Sequence, residues 1–202
     1  MIIGVIGLIG SGKGTVGDYL RDTHGFKQRA FAGPVKDVAS TVFGWDREML
    51  EGNTKESREW RELPDPQFDG TFPDLNEGKL TPRLALQKIG TECFRDIFGI
   101  DIWVSSLLAK IEPGENTVIT DVRFENEICA ILANGGKLWW VREETIPSWL
   151  NELIQSHFIP KDVHPSEWEW AKNGVDDFTQ IINKKDGLDN FHNVIEREYE
   201  KL

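Results

Sequence analysis

The plainest chemistry in the chain lies near its amino terminus. Gly7, four residues, then Gly12-Lys13-Gly14-Thr15 place two glycines, a lysine and a hydroxyl at the spacing of a phosphate-binding loop. The glycines let the backbone curl so that successive N–H groups point at phosphate oxygens. The helix that follows adds the partial positive charge of its first turn. Gly10, Ser11, Gly12, Lys13, Gly14 and Thr15 would then hold the phosphates of a nucleotide, with Lys13 neutralising the terminal ones. Thr15 stands one residue beyond the place where many such loops carry their metal-binding hydroxyl, a turn of about 100° on a helix. The spacing therefore assigns no direct metal ligand.

A second group lies at the end of the apolar run Thr117 to Thr120, where Asp121 suits an acid that helps hold a hydrated metal beside the nucleotide; a plain helix cap is the alternative. Its neighbours are Val122 and Arg123 rather than a second acid that could activate water, which weighs against an ATPase motor. The nearest approach to a guanine-reading motif, Asn53-Thr54-Lys55-Glu56, does not match one. A kinase needs cations for two anionic substrates. Lys36, Arg58, Arg83, Arg95, Arg123 and Arg142 are the candidates. An acceptor that is itself a phosphate monoester arrives ionised, so catalysis becomes positioning and charge neutralisation.

These groups need a scaffold, and the pattern predicts one. Ile2 to Ile6 reads as a buried strand, Lys13 to about Thr23 as a helix, and Lys27 to Phe31 as a short strand. A helix begins at Pro34, with Val35, Val38, Ala39, Val42 and Phe43 facing inward. From Trp45 to Lys79 the pattern breaks up. One helix is expected from Thr81-Pro82 to about Phe98 and another over Ile102 to Lys110. Thr117 to Thr120 (strand), Phe124 to Ala133 (helix), Leu138 to Val141 (strand), an irregular or helical Glu143 to Gly174, Phe178 to Ile182 (strand) and Leu188 to Leu202 (helix) complete the chain. This alternation predicts an α/β fold with a parallel sheet covered on both faces and ligands at the carboxyl ends of its strands.

Composition narrows the function. With 23 Lys+Arg against 34 Asp+Glu the net charge is -11, so the surface repels nucleic-acid polymers and anionic membranes. Any phosphate must sit in a local basic pocket. Two cysteines, Cys93 and Cys129, lack metal-ligand spacing and suit a reducing cytoplasm. The apolar run Ile2 to Ile9 is too short to span a bilayer. Length predicts a single domain.

The Gly-Lys-Gly-Thr ending of the loop resembles nucleoside monophosphate kinases such as adenylate kinase. Longer stretches are similar to one branch. Phe31-Ala32-Gly33-Pro34-Val35-Lys36-Asp37, Arg83 with Leu86-Gln87 and Gly90-Thr91-Glu92, and Ile102-Trp103-Val104 closely resemble the deoxynucleoside monophosphate kinases of large tailed bacteriophages. So do Asp121 to Glu127, Val141-Arg142, His164-Pro165-Ser166-Glu167, and Asp177 through Asn183 to Leu188. The matches run in order along nearly the whole chain and thin out between Trp45 and Lys79.

The resemblance implies a P-loop NTPase fold with a five-stranded parallel core, an acceptor-binding insertion at about 45–80 and a lid at about 143–165. It implies transfer of the γ-phosphate of ATP, with Mg²⁺, to a deoxynucleoside monophosphate in a cytoplasm (the host's, for a phage enzyme), by a monomer or homodimer. By the same resemblance Val35, Lys36, Arg58, Arg83 and Arg123 belong to the acceptor site, and Gln87 reads the acceptor base. Arg142 opens the lid and reaches adenine or the moving phosphoryl group, while Asn183 to Gly187 lie under the adenine. Lys13, Asp121, Arg123 and Arg142 are the implied catalytic set. Trp139, Trp140, Trp168 and Trp170 are expected to be packing residues. Two other readings stay open: another small-molecule P-loop kinase, of the phosphomevalonate or dephospho-coenzyme A type, and a nucleotide-binding regulatory module without transferase activity.

Overall fold

A computed structural model describes residues 1–163 and 165–202, and for Asn76 the backbone alone. His164, one of the residues carrying the resemblance, lies outside the described residues. Along the chain run β1 (Ile2–Ile6), α1 (Lys13–His24), β2 (Lys27–Arg29), α2 (Gly33–Phe43), α3 (Arg47–Glu51), α4 (Lys55–Glu62), α5 (Pro82–Lys88), α6 (Arg95–Phe98) and α7 (Ile102–Leu108). Then come β3 (Thr117–Ile119), α8 (Glu125–Ala133), β4 (Lys137–Arg142), α9 (Ser148–Ser156), β5 (Thr179–Ile182) and α10 (Leu188–Tyr199). They divide into two compact units, Met1–Ala30 with Ala109–Leu202, and Phe31–Leu108.

The first unit holds the sheet. Its five strands are all parallel in the order β2-β3-β1-β4-β5, so β1 is central and its carboxyl end feeds the phosphate-binding loop. Alternate side chains point to opposite faces. Ile3, Val5, Val118, Trp139, Val141 and Ile181 form one core with Val16 and Leu20 of α1 and Phe191 and Ile195 of α10. On the other face α8 comes so close that a Cβ on Gly4 would stand 2.6 Å from Ile131 Cδ1. The α/β fold with a five-stranded parallel sheet and helices on both faces is as expected, and Trp139, Trp140 and Trp170 are buried packing residues.

The edge of the sheet is fastened by one carboxylate. Glu115 receives Lys27 Nζ at 2.8 Å, Arg29 Nε at 3.0 Å and the Thr117 hydroxyl at 2.8 Å, joining β2 to the start of β3. These donors, Lys27 foremost, push its pKa down from 4.5 to about 2 against the opposing effect of burial. A carboxyl whose pKa is depressed on folding stabilises the fold above its unfolded value and loses that contribution as pH falls through the folded one. Stability should therefore decline between about pH 4.5 and 2. In urea unfolding followed across that range, Glu115→Gln should be less stable at neutral pH and show a flatter acid limb. An acid limb identical to the wild type would remove Glu115 from that role.

The second unit is helical around its own core of Val35, Ala39, Trp45, Leu50, Leu80, Ala85, Ile89 and Trp103. It contains the segment where the sequence pattern dissolves. Two helices stand there, α3 capped by the Asp46 carboxylate on Met49 N at 2.9 Å and α4 by a Thr54–Ser57 capping box. Helices of five and eight residues are too short to display a hydrophobic period. Aromatic contacts hold the stretch instead: Phe43 stacks on Trp45 at 4.5 Å, and Trp45 meets Trp60 and Phe68 edge-on.

Two expectations are corrected, and a third, the irregular or helical stretch from Glu143 to Gly174, takes definite form. The helix from Thr81 to Phe98 is broken by a π-helical turn, Ile89–Cys93, where the Gly90 carbonyl accepts the Trp103 indole N–H at 2.8 Å. Val42, expected inside, is 65% exposed on the outer side of α2. The segment from Glu143 to Gly174 contains α9 and two 3-10 turns, Pro165–Glu167 and Glu169–Ala171.

Candidate active site

The loop between β1 and α1 is built for a backbone cradle. Gly7, at φ 151°, passes under the end of β4, where a Cβ would stand 2.2 Å from the Val141 carbonyl oxygen. Gly12, at φ 110°, has Asn183 Nδ2 and the Phe191 ring each 2.9 Å from where a Cβ would be. Only glycine takes that backbone and that space. Above Gly10 and Gly14 nothing lies within 4 Å of a Cβ position, so the mouth of the cradle is open. The Ser11 hydroxyl is buried with no hydrogen-bond partner, a polar atom that a bound phosphate oxygen would satisfy.

Other elements hold the loop in shape. Asn183, just past β5 and buried, donates its side-chain N–H to Ser11 O at 2.9 Å, and Lys185 Nζ reaches Gly10 O at 2.7 Å. Lys13 folds back over the loop, its ammonium on Gly7 O at 2.7 Å and Leu8 O at 2.9 Å. Burial pushes its pKa down to about 8, Arg123 adds to the depression, and Glu167 and Asp121 oppose it. The structure thus brings Lys13, Asp121 and Arg123 within electrostatic reach of one another, together with Glu167, a residue of the quoted 164–167 stretch to which the resemblance attached no role.

Arg123 lies between β3 and α8. The buried carboxylate of Glu127 accepts its backbone N–H at 2.7 Å and that of Phe124 at 3.1 Å, fixing the turn that carries it. Its guanidinium Nη1 donates to Glu167 at 2.9 Å and to the Ser166 hydroxyl at 3.3 Å.

Arg142, at the end of β4, lies over the Trp140 ring at 5.5 Å, with Nε on Gln180 at 2.9 Å and Nη1 on the carbonyls of Glu143 and Glu144. A cavity of about 410 Å³ opens beside it, lined by Leu8, Ile9, Ser11, Arg142, Thr145 and Leu150 among others. That volume lies in the range of small-molecule sites, about 300–1,000 Å³.

The remaining predicted residues belong to the second unit. Val35 is buried in α2 and serves its core. Lys36 pairs with Glu51, which Arg47 also holds. Arg58 caps the carbonyls of Gly52 and Asn53, Arg83 pairs with Glu62, and Gln87 is exposed on α5. Arg61, absent from the expected set, stands among them. Burial and then Arg83 lower its pKa, Arg58 adds to this, and its Nε is buried without a partner. Among the described residues no group of three or more His, Cys, Asp or Glu could form a metal cage.

A parallel sheet of this order, with a glycine-rich cradle and its lysine at the end of the central strand, defines a P-loop kinase fold. The chain belongs to the deoxynucleotide monophosphate kinase family: a protein of Acanthamoeba polyphaga mimivirus, named provisionally for that activity, is 31% identical over 198 residues, covering 91% of this chain and 89% of the relative. That relative comes from a virus of an amoeba rather than a bacteriophage. No family model matches the sequence. Among solved structures, the chain is similar to a dephospho-CoA kinase from Campylobacter jejuni, with 11% identity, 99% and 96% coverage and a TM-score of 0.46. It is also similar to a deoxyadenosine kinase from M. mycoides with dCMP and dCDP bound, with 17% identity, full coverage of both chains and a TM-score of 0.29.

Proposed function

We propose that the protein transfers the γ-phosphate of ATP to a deoxynucleoside monophosphate, giving the diphosphate and ADP. The observation that carries this reading is the pairing of two cations at one strand edge: Lys13 over the phosphate loop, and Arg123 close enough to lower its pKa. One suits the donor phosphates and the other an acceptor phosphate. An ionised acceptor needs no base, so the residues act by binding and alignment. Gly10 to Thr15 hold the donor phosphates, Arg123 grips the acceptor phosphate, and Arg142 lies against the donor on the lid side. Lys36, Arg58, Arg83 and Gln87 are the further residues proposed to recognise the acceptor, with the insertion at about 45–80 as its binding segment.

Asp121 supplies hard carboxylate oxygens near Lys13, the donor type that suits hydrated Mg²⁺. It would hold the ion through its water shell. When bound with ATP, Mg²⁺ draws charge from the phosphate oxygens. The viral relative and the phage-type motifs support work in a host cytoplasm. Among the described residues no helix is long and apolar enough to cross a membrane.

A coupled ADP-release assay over all deoxynucleoside and ribonucleoside monophosphates, with phosphomevalonate and dephospho-coenzyme A as controls, tests the reading. Turnover confined to the nucleotides is expected; turnover with only a control would replace it.

The segment from about 143 to 165 is proposed as the lid. Phe158 and Ile159 stand 56% and 45% exposed there, as suits a segment that gains cover when substrates bind. Limited proteolysis should cut near them, or between 62 and 79, in the free enzyme, and ATP with a deoxynucleoside monophosphate should protect. Cleavage indifferent to ligands would mean a static loop.

A further inference from the structure

We infer that Glu167 is the positioning residue for Arg123: it holds one nitrogen of the guanidinium so that the other edge is presented, already oriented, to the acceptor phosphate. This rests on the acceptor role of Arg123 proposed above and extends it to a residue that neither the motifs nor the relatives assign.

The geometry fixes Arg123 at both ends. Its backbone N–H is held by Glu127 from α8. Among the described residues its tip is held through Nη1, by Glu167 Oε1 at 2.9 Å and Ser166 Oγ at 3.3 Å. Among the described residues, Nε and Nη2 have no hydrogen-bond partner, and these two nitrogens can face one oxyanion as a fork. The turn that presents Glu167 is itself anchored. Its carbonyl accepts the Trp170 indole N–H at 2.9 Å, Trp168 N bonds Pro165 O at 3.0 Å, and Trp168 Nε1 bonds Val163 O at 3.0 Å. Trp170 is 2% exposed and packs on Trp140 of β4 at 5.6 Å. A rigid strand therefore supports the turn, and the turn supports the arginine.

The charge arrangement agrees. Lys13 and Arg123 repel each other, and Glu167 opposes that repulsion while remaining only 20% exposed itself. A long cation that would otherwise sample many rotamers is ordered before substrate arrives, so less freedom is lost on binding. A carboxylate beside a phosphate site also repels the incoming anion. Its presence lowers acceptor affinity slightly while improving alignment, which separates KM from kcat.

The test is a double-mutant cycle on the full chain with ATP and the best deoxynucleoside monophosphate. Glu167→Gln keeps the shape and removes the charge. Its kcat should fall roughly 10- to 100-fold, as when a positioning contact is lost. The acceptor KM should stay level or drop, and the ATP KM should stay within about two-fold. Glu167→Asp should recover part of the loss. In an Arg123→Ala background, Glu167→Gln should change kcat by less than about two-fold, because the two residues act as one unit. A Glu167→Gln enzyme with wild-type kcat, or an equal loss in both backgrounds, would overturn the assignment. A wild-type enzyme inactive on every monophosphate would instead sink the functional reading. The positioning claim is then judged by side-chain NMR of the free protein. The Arg123 Nε–H signal should be sharp and dispersed in the wild type and should lose dispersion in Glu167→Gln or, if that variant fails to fold, in Ser166→Ala with Glu167→Asp. An unchanged signal would refute it.

Discussion

Replacing Lys13 by Met should lower kcat by roughly 10²- to 10³-fold, the loss seen when one preorganised donor to a developing charge is removed. Met keeps the straight apolar stem and deletes the ammonium, so no group is left to follow the phosphoryl oxygens as charge moves from donor to acceptor. The fold should survive. Lys13 supplies only one of several sets of bonds to the loop: Asn183 holds Ser11 O, Lys185 holds Gly10 O, and Ser11 N bonds Leu8 O at 3.2 Å. The carbonyls of Gly7 and Leu8 lose a donor, but both bonds are only part-buried, so water can replace it. Thermal unfolding beside steady-state kinetics checks both halves of the expectation. Near-normal turnover would remove the phosphate loop from the mechanism.

Arg123→Lys should separate the two substrates. Lysine retains the charge but not the planar fork, so it can neither hold Glu167 at one nitrogen nor offer a second, parallel pair to a phosphate. The kcat/KM for the deoxynucleoside monophosphate should fall by roughly 10²-fold while ATP affinity stays within a few-fold, since positioning rather than attraction is lost. The substitution should not turn on ATP hydrolysis. The acid nearest in sequence to water activation is absent, Val122 being buried beside Asp121. The carboxylate that folding brings in, Glu167, still faces the Lys13 ammonium and the positive charge kept at position 123, both of which oppose its acting as a base. Equal weakening of ATP and acceptor, or no change in either, would make Arg123 structural.

Much of the donor side was legible in the sequence because its chemistry is local. Seven of the residues that shape it stand between Gly7 and Thr15, and strand, loop and helix follow one another without interruption. The parallel sheet was legible for the same reason, through apolar runs that each end on a polar residue. The rest is tertiary. Glu167 meets Arg123 across 44 positions, and no period or spacing in the sequence connects a 3-10 turn to a strand end. Arg61 looks like any arginine on a short helix until Arg58 and Arg83 are seen to crowd it. That the buried amide of Asn183 holds Ser11 O, 172 positions away, is likewise invisible in the sequence. The π-helical turn at Ile89–Cys93 depends on an indole from Trp103 that no local propensity reports. Chemistry written along the chain can be read from it, whereas contacts between distant turns need the fold.

The central claim is that one site moves a phosphoryl group from ATP to a nucleotide monophosphate. The most direct measurement follows the label of γ-labelled ATP in a single turnover with Mg²⁺ and each deoxynucleoside monophosphate, resolving the products by chromatography. The label should appear in the β-position of a deoxynucleoside diphosphate, one for each ADP formed, and not as inorganic phosphate. Label that stays in ATP with every monophosphate, or that is released as inorganic phosphate at the same rate with and without acceptor, would contradict it.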